Sequence, residues 1–127
     1  MNVLKFKKGC KEWETSYEVE LDYEYSEDLE KEITSVILYR QDLGKKAVIP
    51  WGIFKKFTCG SNEGTFIDSS GLRIGFIKGK LSVSQGYSFN IIIHEDQIDA
   101  INRAAKNIVE DISYSVENIL KEYATHS

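Results

Sequence analysis

The residues able to do chemistry are few and poorly grouped. His94 stands directly before Glu95 and Asp96, and an imidazole beside carboxylates can move a proton or hold a metal. The HExxH pattern that would set two imidazoles on one helix face is absent, because position 98 is Ile. The other histidine, His126, lies in the C-terminal tail. A metal site needs three or four convergent ligands. The expectation is therefore no metal and no cofactor, with His94 a strand-to-helix boundary residue. Cys10 and Cys59 are far apart, with no CxxC and no neighbouring histidine. Both are expected as reduced thiols, with a single bridge as the alternative. Neither phosphate loop, GxxxxGK[ST] or GxGxxG, occurs. Nothing here supports catalysis.

Binding is better represented. Residues 1–11 carry four lysines and no acid, whereas residues 12–32 hold ten of the twenty acids and one lysine. In "KEWETSYEVELDYEY", residues 11–25, Trp13, Thr15, Tyr17, Val19, Leu21, Tyr23 and Tyr25 alternate with Glu12, Glu14, Ser16, Glu18, Glu20, Asp22 and Glu24. Alternation of period two predicts a half-buried strand with a row of six carboxylates on its outer side. Same-side neighbours on a strand are about 6.6 Å apart, so the row repels itself. Its plain role is a solvated face, partly neutralised by Lys5 and Lys7 on an adjacent strand, or a charged edge that resists aggregation. Its functional role is to dock a protein with a basic surface, imitating a nucleic-acid backbone in a Lys/Arg-lined channel.

A second binding reading rests on residues 40–80, with eight basic residues against three acids. Lys55, Lys56, Arg73, Lys78 and Lys80 lie near aromatics, of which Trp51, Phe54 and Phe57 surround the first two lysines. Exposed, such aromatics could stack bases at about 1–3 kcal/mol each. Buried, they contribute similarly to a core without any ligand, and core is the preferred reading. The net charge of −4 argues against the whole chain binding a polyanion.

The elements that must position these residues follow from periodicity. "VLKFK" reads as a short strand with Leu4 and Phe6 on one face. Ser26 is placed to cap one helical turn, and "ITSVILYRQ", residues 33–41, reads as a strand, with a helix from Ser26 to Gln41 as rival. "DLGK" turns the chain into "KAVIPW", its antiparallel partner. Pro50 suits the first position of a short helix over residues 50–57. From Gly64 the pattern is a meander: "GTFID", "LRIGFI", "LSVS" and "YSFNIIIH", separated by turns at Gly71, Gly79 and Gly86. Then Ile98, Ile101, Ala105, Ile108, Ile112, Val116, Ile119 and Tyr123 step by three and four, which predicts a C-terminal helix over residues 95–124. Unbroken, it would reach about 45 Å, so either it breaks near "SYS", residues 113–115, or its end projects toward a partner, a second copy being one candidate.

With 127 residues, 42% hydrophobic, the chain fits one globular domain with a sizeable core. The expected fold is α+β: a bent antiparallel sheet over residues 2–94, or a partly open barrel, packed against the C-terminal helix. No signal peptide, lipidation site or apolar run long enough for a bilayer is recognisable, so the expected location is cytoplasmic. The expected function is a non-catalytic protein-binding module, a small inhibitor, immunity or anti-defence protein docking a nucleic-acid enzyme through its acidic strand. The alternative is a nucleic-acid-binding domain using the basic set.

Overall fold

A computed structural model describes residues 3–9, 15–60 and 63–126, with side chains as far as residue 110. Eight strands and two helices follow one another as β1 (Val3–Phe6), β2 (Tyr17–Tyr25), β3 (Lys31–Arg40), β4 (Lys45–Pro50), α1 (Trp51–Gly60), β5 (Gly64–Ile67), β6 (Leu72–Ile77), β7 (Lys80–Gln85), β8 (Phe89–Ile93) and α2 (Glu95–His126). The strands form two antiparallel sheets of four, each a simple meander in chain order. The fold is thus α+β with antiparallel sheets and a C-terminal helix, and the two sheets do not close into a barrel.

Alternation decides which side of each strand is inside. Val19 and Leu21 of β2, Val36 and Leu38 of β3 and Ile49 of β4 face inward, as do Ile74 of β6, Leu81 and Val83 of β7 and Ile91 of β8. Phe54 and Phe57 of α1 and Ile98, Ile101, Ala105 and Ile108 of α2 join the same cluster, so one apolar core serves both sheets and both helices. Outside the core the sheets meet along β4 and β8. There the Arg40 guanidinium donates to the Asn90 carbonyl at 3.0 Å and the Lys45 ammonium donates to the Ser88 hydroxyl.

Several expectations shift in detail. Of the alternating stretch, Tyr17–Tyr25 is strand; Thr15 and Ser16 precede it without being strand, and Ser16 accepts the Lys8 amide at 2.6 Å. Residues 10–14, with Glu12 and Glu14, lie outside the described residues. Ser26 caps no helical turn. It closes a hairpin, exchanging backbone bonds with Leu29 and Glu30, and Leu29 takes the left-handed conformation at φ 61°. Residues 33–41 are strand rather than helix, running as β3 from Lys31. Pro50 ends β4 opposite Ser35, and the helix begins after it at Trp51. Proline is tolerated there because β4 is an edge of its sheet and needs no outward N–H partner. The C-terminal helix is not broken near residues 113–115; it runs through 32 residues.

Candidate functional site: an acidic sheet face

β2 is an inner strand, so its outer face is flanked on both sides and held rigid. The register sets Lys5, Glu18, Tyr39 and Lys46 in one cross-strand row, Val3, Glu20, Ile37 and Val48 in the next, and Asp22, Ser35 and Pro50 in a third. A bulge between Asp22 and Tyr23 takes one extra residue, Thr34, on the β3 side and restores the phase, so Glu24 faces Glu32 of β3. Glu18 and Glu20 are half-buried, whereas Asp22, Glu24 and Glu32 are exposed.

These carboxylates are positioned by neutral donors. The Tyr39 hydroxyl donates to Glu20 at 2.9 Å and the Gln41 amide to Glu18 at 3.4 Å. The bond to Glu20 holds the Tyr39 phenol above its ordinary range, because losing its proton would set two anions together. Ion pairs among the described residues join Arg40 to Asp42 and Lys106 to Glu110, and neither involves β2. Glu24 opposite Glu32 is a like-charge pair that weakens the ladder. Alongside the acids lie Tyr39, Ile37 and Val48, the last 44% exposed. An acidic band beside an aromatic and two aliphatic side chains suits contact with another protein.

The basic set is not gathered in one place. Arg73 and Lys80 stand on the outer face of the second sheet, where register and burial also place Thr65, Ser82 and Ser84 but no carboxylate. Lys78 sits in the β6–β7 turn, where its amide donates to Glu63 at 3.4 Å. Lys55 and Lys56 belong to α1. Of the aromatics, Phe54 and Phe57 are core, while Trp51 is half-buried, stacked on Phe54 at 5.4 Å, with the Lys55 ammonium over its ring at 5.4 Å.

Trp51 opens onto a groove that sequence reasoning missed, an open space of about 910 Å³ between α1, α2 and the start of β3. Its walls carry Lys31, Lys55, Arg103 and Lys106 against Glu32, Asp99 and Glu110, with Trp51 and Val109 exposing apolar surface. The only advance sign was that the outward residues of α2 share helical spacing with its core stripe.

His94 is the N-cap of α2: its carbonyl accepts the Ile98 amide at 2.9 Å. Its own amide donates to the side-chain oxygen of Gln97, three residues on, which is the returning half of a capping box. The same oxygen accepts the Tyr17 hydroxyl at 2.8 Å, and Gln97 is fully buried. Burial, assisted by Asp96, pushes the Tyr17 phenol far above its ordinary range. His94 thus has a defined structural place, at the strand-to-helix boundary. No group of three or more His, Cys, Asp or Glu able to hold a metal occurs among the described residues. The Cys59 thiol is free and exposed. No helix among the described residues is long and apolar enough to cross a membrane. Set against family models, curated proteins and solved structures, the chain matches none.

Proposed function

We propose that the chain is a non-catalytic protein-binding module whose acidic sheet face docks on a basic protein surface, most concretely as a small inhibitor, immunity or anti-defence protein acting on a nucleic-acid enzyme. One observation carries this reading: Glu18, Glu20, Asp22 and Glu24 share the outer side of an inner strand, with no ion pair to a lysine among the described residues. Their charge is available to a partner. Charge of this density speeds encounter with a basic surface by tenfold or more at low salt, and the gain fades as salt rises. The neighbouring Tyr39, Ile37 and Val48 supply apolar contact once charge has aligned the two surfaces. Glu12 and Glu14 extend the same sequence pattern and belong to the proposal by that pattern alone.

The test is charge reversal at Glu18, Glu20 and Asp22 together, read as partner capture from the native host over a salt series. The triple lysine variant is expected to lose capture by on the order of tenfold or more while its unfolding midpoint stays near wild type. Undiminished capture would remove the acidic face from the function.

A second reading has one supporting observation, the carboxylate-free face carrying Arg73 and Lys80. It predicts binding of single- or double-stranded nucleic acid that weakens steeply with salt. A gel shift that Arg73→Glu with Lys80→Glu abolishes would favour it over the acidic face.

A further inference from the structure

We propose that the groove beside Trp51 receives the distal half of α2 from a second copy of this chain, so that two copies exchange their C-terminal helices. The proposal does not rest on the acidic face, which shares only Glu32 with the groove.

Length comes first. α2 has 32 residues, about 48 Å at 1.5 Å per residue. The longest strand, β3, has 10 residues, about 33 Å. The helix start cannot be the end that overhangs. Gln97 ties it to Tyr17 at the head of β2, and Ile98, Ile101, Ala105 and Ile108 are buried in the common core. The excess therefore falls at the C-terminal end.

Sequence comes second. Beyond Ile108 the same three-and-four spacing continues through Ile112, Val116, Ile119 and Tyr123. A helix that ended in water would have no use for a further apolar stripe.

The groove supplies the third argument. It lies along α2 itself, bounded by Arg103, Lys106 and Val109, and across from them by Trp51 and Lys55 of α1. Val109 is 41% exposed although it stands on the helix between core residues and the opening. Among the described residues, four cations outnumber three acids around the opening. Residues 111–126 carry the complement: Asp111, Glu117 and Glu122 against Lys121. An apolar stripe accompanied by acids fits an apolar floor rimmed by cations, in the manner of a helix laid in a groove. Sixteen residues make a rod of about 24 Å. A two-fold axis makes the exchange reciprocal, so that each copy fills the other's groove and neither overhang is left bare.

The test uses the full chain and light scattering coupled to size exclusion. Wild type is expected at twice the 14.5 kDa chain mass. Arg103→Glu with Lys106→Glu gives an acidic groove and an acidic helix, and is expected to halve the mass. Glu117→Lys with Glu122→Lys gives a basic groove and a basic helix, and is expected to do the same. Mixed in equal amounts, the two variants present opposite charges at both contacts and are expected to regain the doubled mass. Val109→Arg, a change at a solvent-reached position, is expected to halve the mass as well, and serves should a double variant misfold. A wild type at single mass at every concentration overturns the proposal and leaves the groove to a different acidic helix. So do variants that stay double, or a mixture that stays single.

Discussion

β1–β4 followed by α1, and β5–β8 followed by α2, are the same succession of elements with opposite outer surfaces. Inside, both halves use the same aliphatic alternation and reach the same depth: Val36 and Leu38 in one, Leu81 and Ile91 in the other, are all fully buried. Outside, the first sheet carries Glu18, Glu20, Asp22, Glu24 and Glu32, with Lys5 and Lys46 in the Glu18 row, and the second carries Arg73 and Lys80 among hydroxyls and the exposed Ile67 and Ile77. The inner pattern is sufficient to build either sheet, so the outer residues are free of that duty. A charge difference that the fold does not require is where recognition is to be sought. The turns differ in the same sense. The second half is closed tightly, with Lys78 and Gly79 both at positive φ in a two-residue hairpin loop. The first allows longer strands and a bulge.

The largest effect that could break this comparison lies where the halves share a core. Phe54 is fully buried on α1, and Phe57, one turn on, stands 6.5 Å from Phe76 of the second sheet. Phe54→Ala is expected to cost about 3–5 kcal/mol, seen as a lowered midpoint in urea unfolding. Ser82→Ala, on the outer face of β7, is expected to stay within about 0.5 kcal/mol of wild type. A mild effect of Phe54→Ala would mean that α1 belongs to the first half alone, and that the two sheets do not share one cooperative core.

How much of this was legible follows from what each signal measures. β2 and α2 were readable because long runs of one period leave few alternatives, and the meander was readable because glycine marks its turns. The doubled plan was not readable, since inner faces share only hydrophobicity, and strands of 10 and 6 residues show no common spacing. The hairpin at Ser26 was hidden because its left-handed residue is Leu29, where side-chain type gives no warning. The acidic row was visible as a pattern, but its neighbours Tyr39, Ile37 and Val48 come from the register of β3 and β4, which alternation alone does not set. The groove depends on how two helices distant in sequence lie together. Gln97, a polar residue in the first turn, gave no hint that it would be fully buried between Tyr17 and His94.

That buried bond is a second tie between the halves, joining β2 to the helix that follows β8. Gln97→Ala leaves the Tyr17 hydroxyl and the His94 amide without their acceptor, and is expected to cost about 1–3 kcal/mol for each group left unpaired. Tyr17→Phe removes one donor and is expected to cost about 1 kcal/mol. A double-mutant cycle in urea should show strong coupling, and additivity would mean that the contact carries no stability. Burial of the same phenol, with Asp96 nearby, also sets an alkaline limit. The Tyr17 pKa is raised in the folded protein above its unfolded value of 10.0, so the neutral phenol stabilises fully below that pH. Above it the unfolded chain loses the proton first, and stability falls as pH rises. Tyr17→Phe is expected to flatten the decline between pH ~10 and ~11.

The smallest effect sharpens the contrast between the turns. In the second half, Asp68 organises the β5–β6 turn: one carboxylate oxygen accepts the Ser70 hydroxyl at 2.6 Å, the Ser70 amide at 2.8 Å and the Leu72 amide at 3.1 Å. These bonds, the Ser70 hydroxyl foremost, hold the Asp68 carboxyl below its ordinary value of 3.8. A depressed folded pKa means that the contribution is present above the ordinary value and is lost as pH falls through the folded one. In the first half the corresponding work is done by Ser26, whose hydroxyl accepts the Glu30 amide at 3.3 Å and does not titrate. Amide hydrogen exchange, corrected for the intrinsic pH dependence, should therefore report a loss of protection at Ser70 and Leu72 as pH is taken from neutral to well below the ordinary carboxyl value of 3.8, and no matching loss at Glu30. Asp68→Asn keeps an oxygen acceptor but has no proton to gain, so its turn should exchange alike at both pH values. Protection that fell equally at both turns would show general acid loosening, and the two halves would then differ in surface charge but not in how their turns are held.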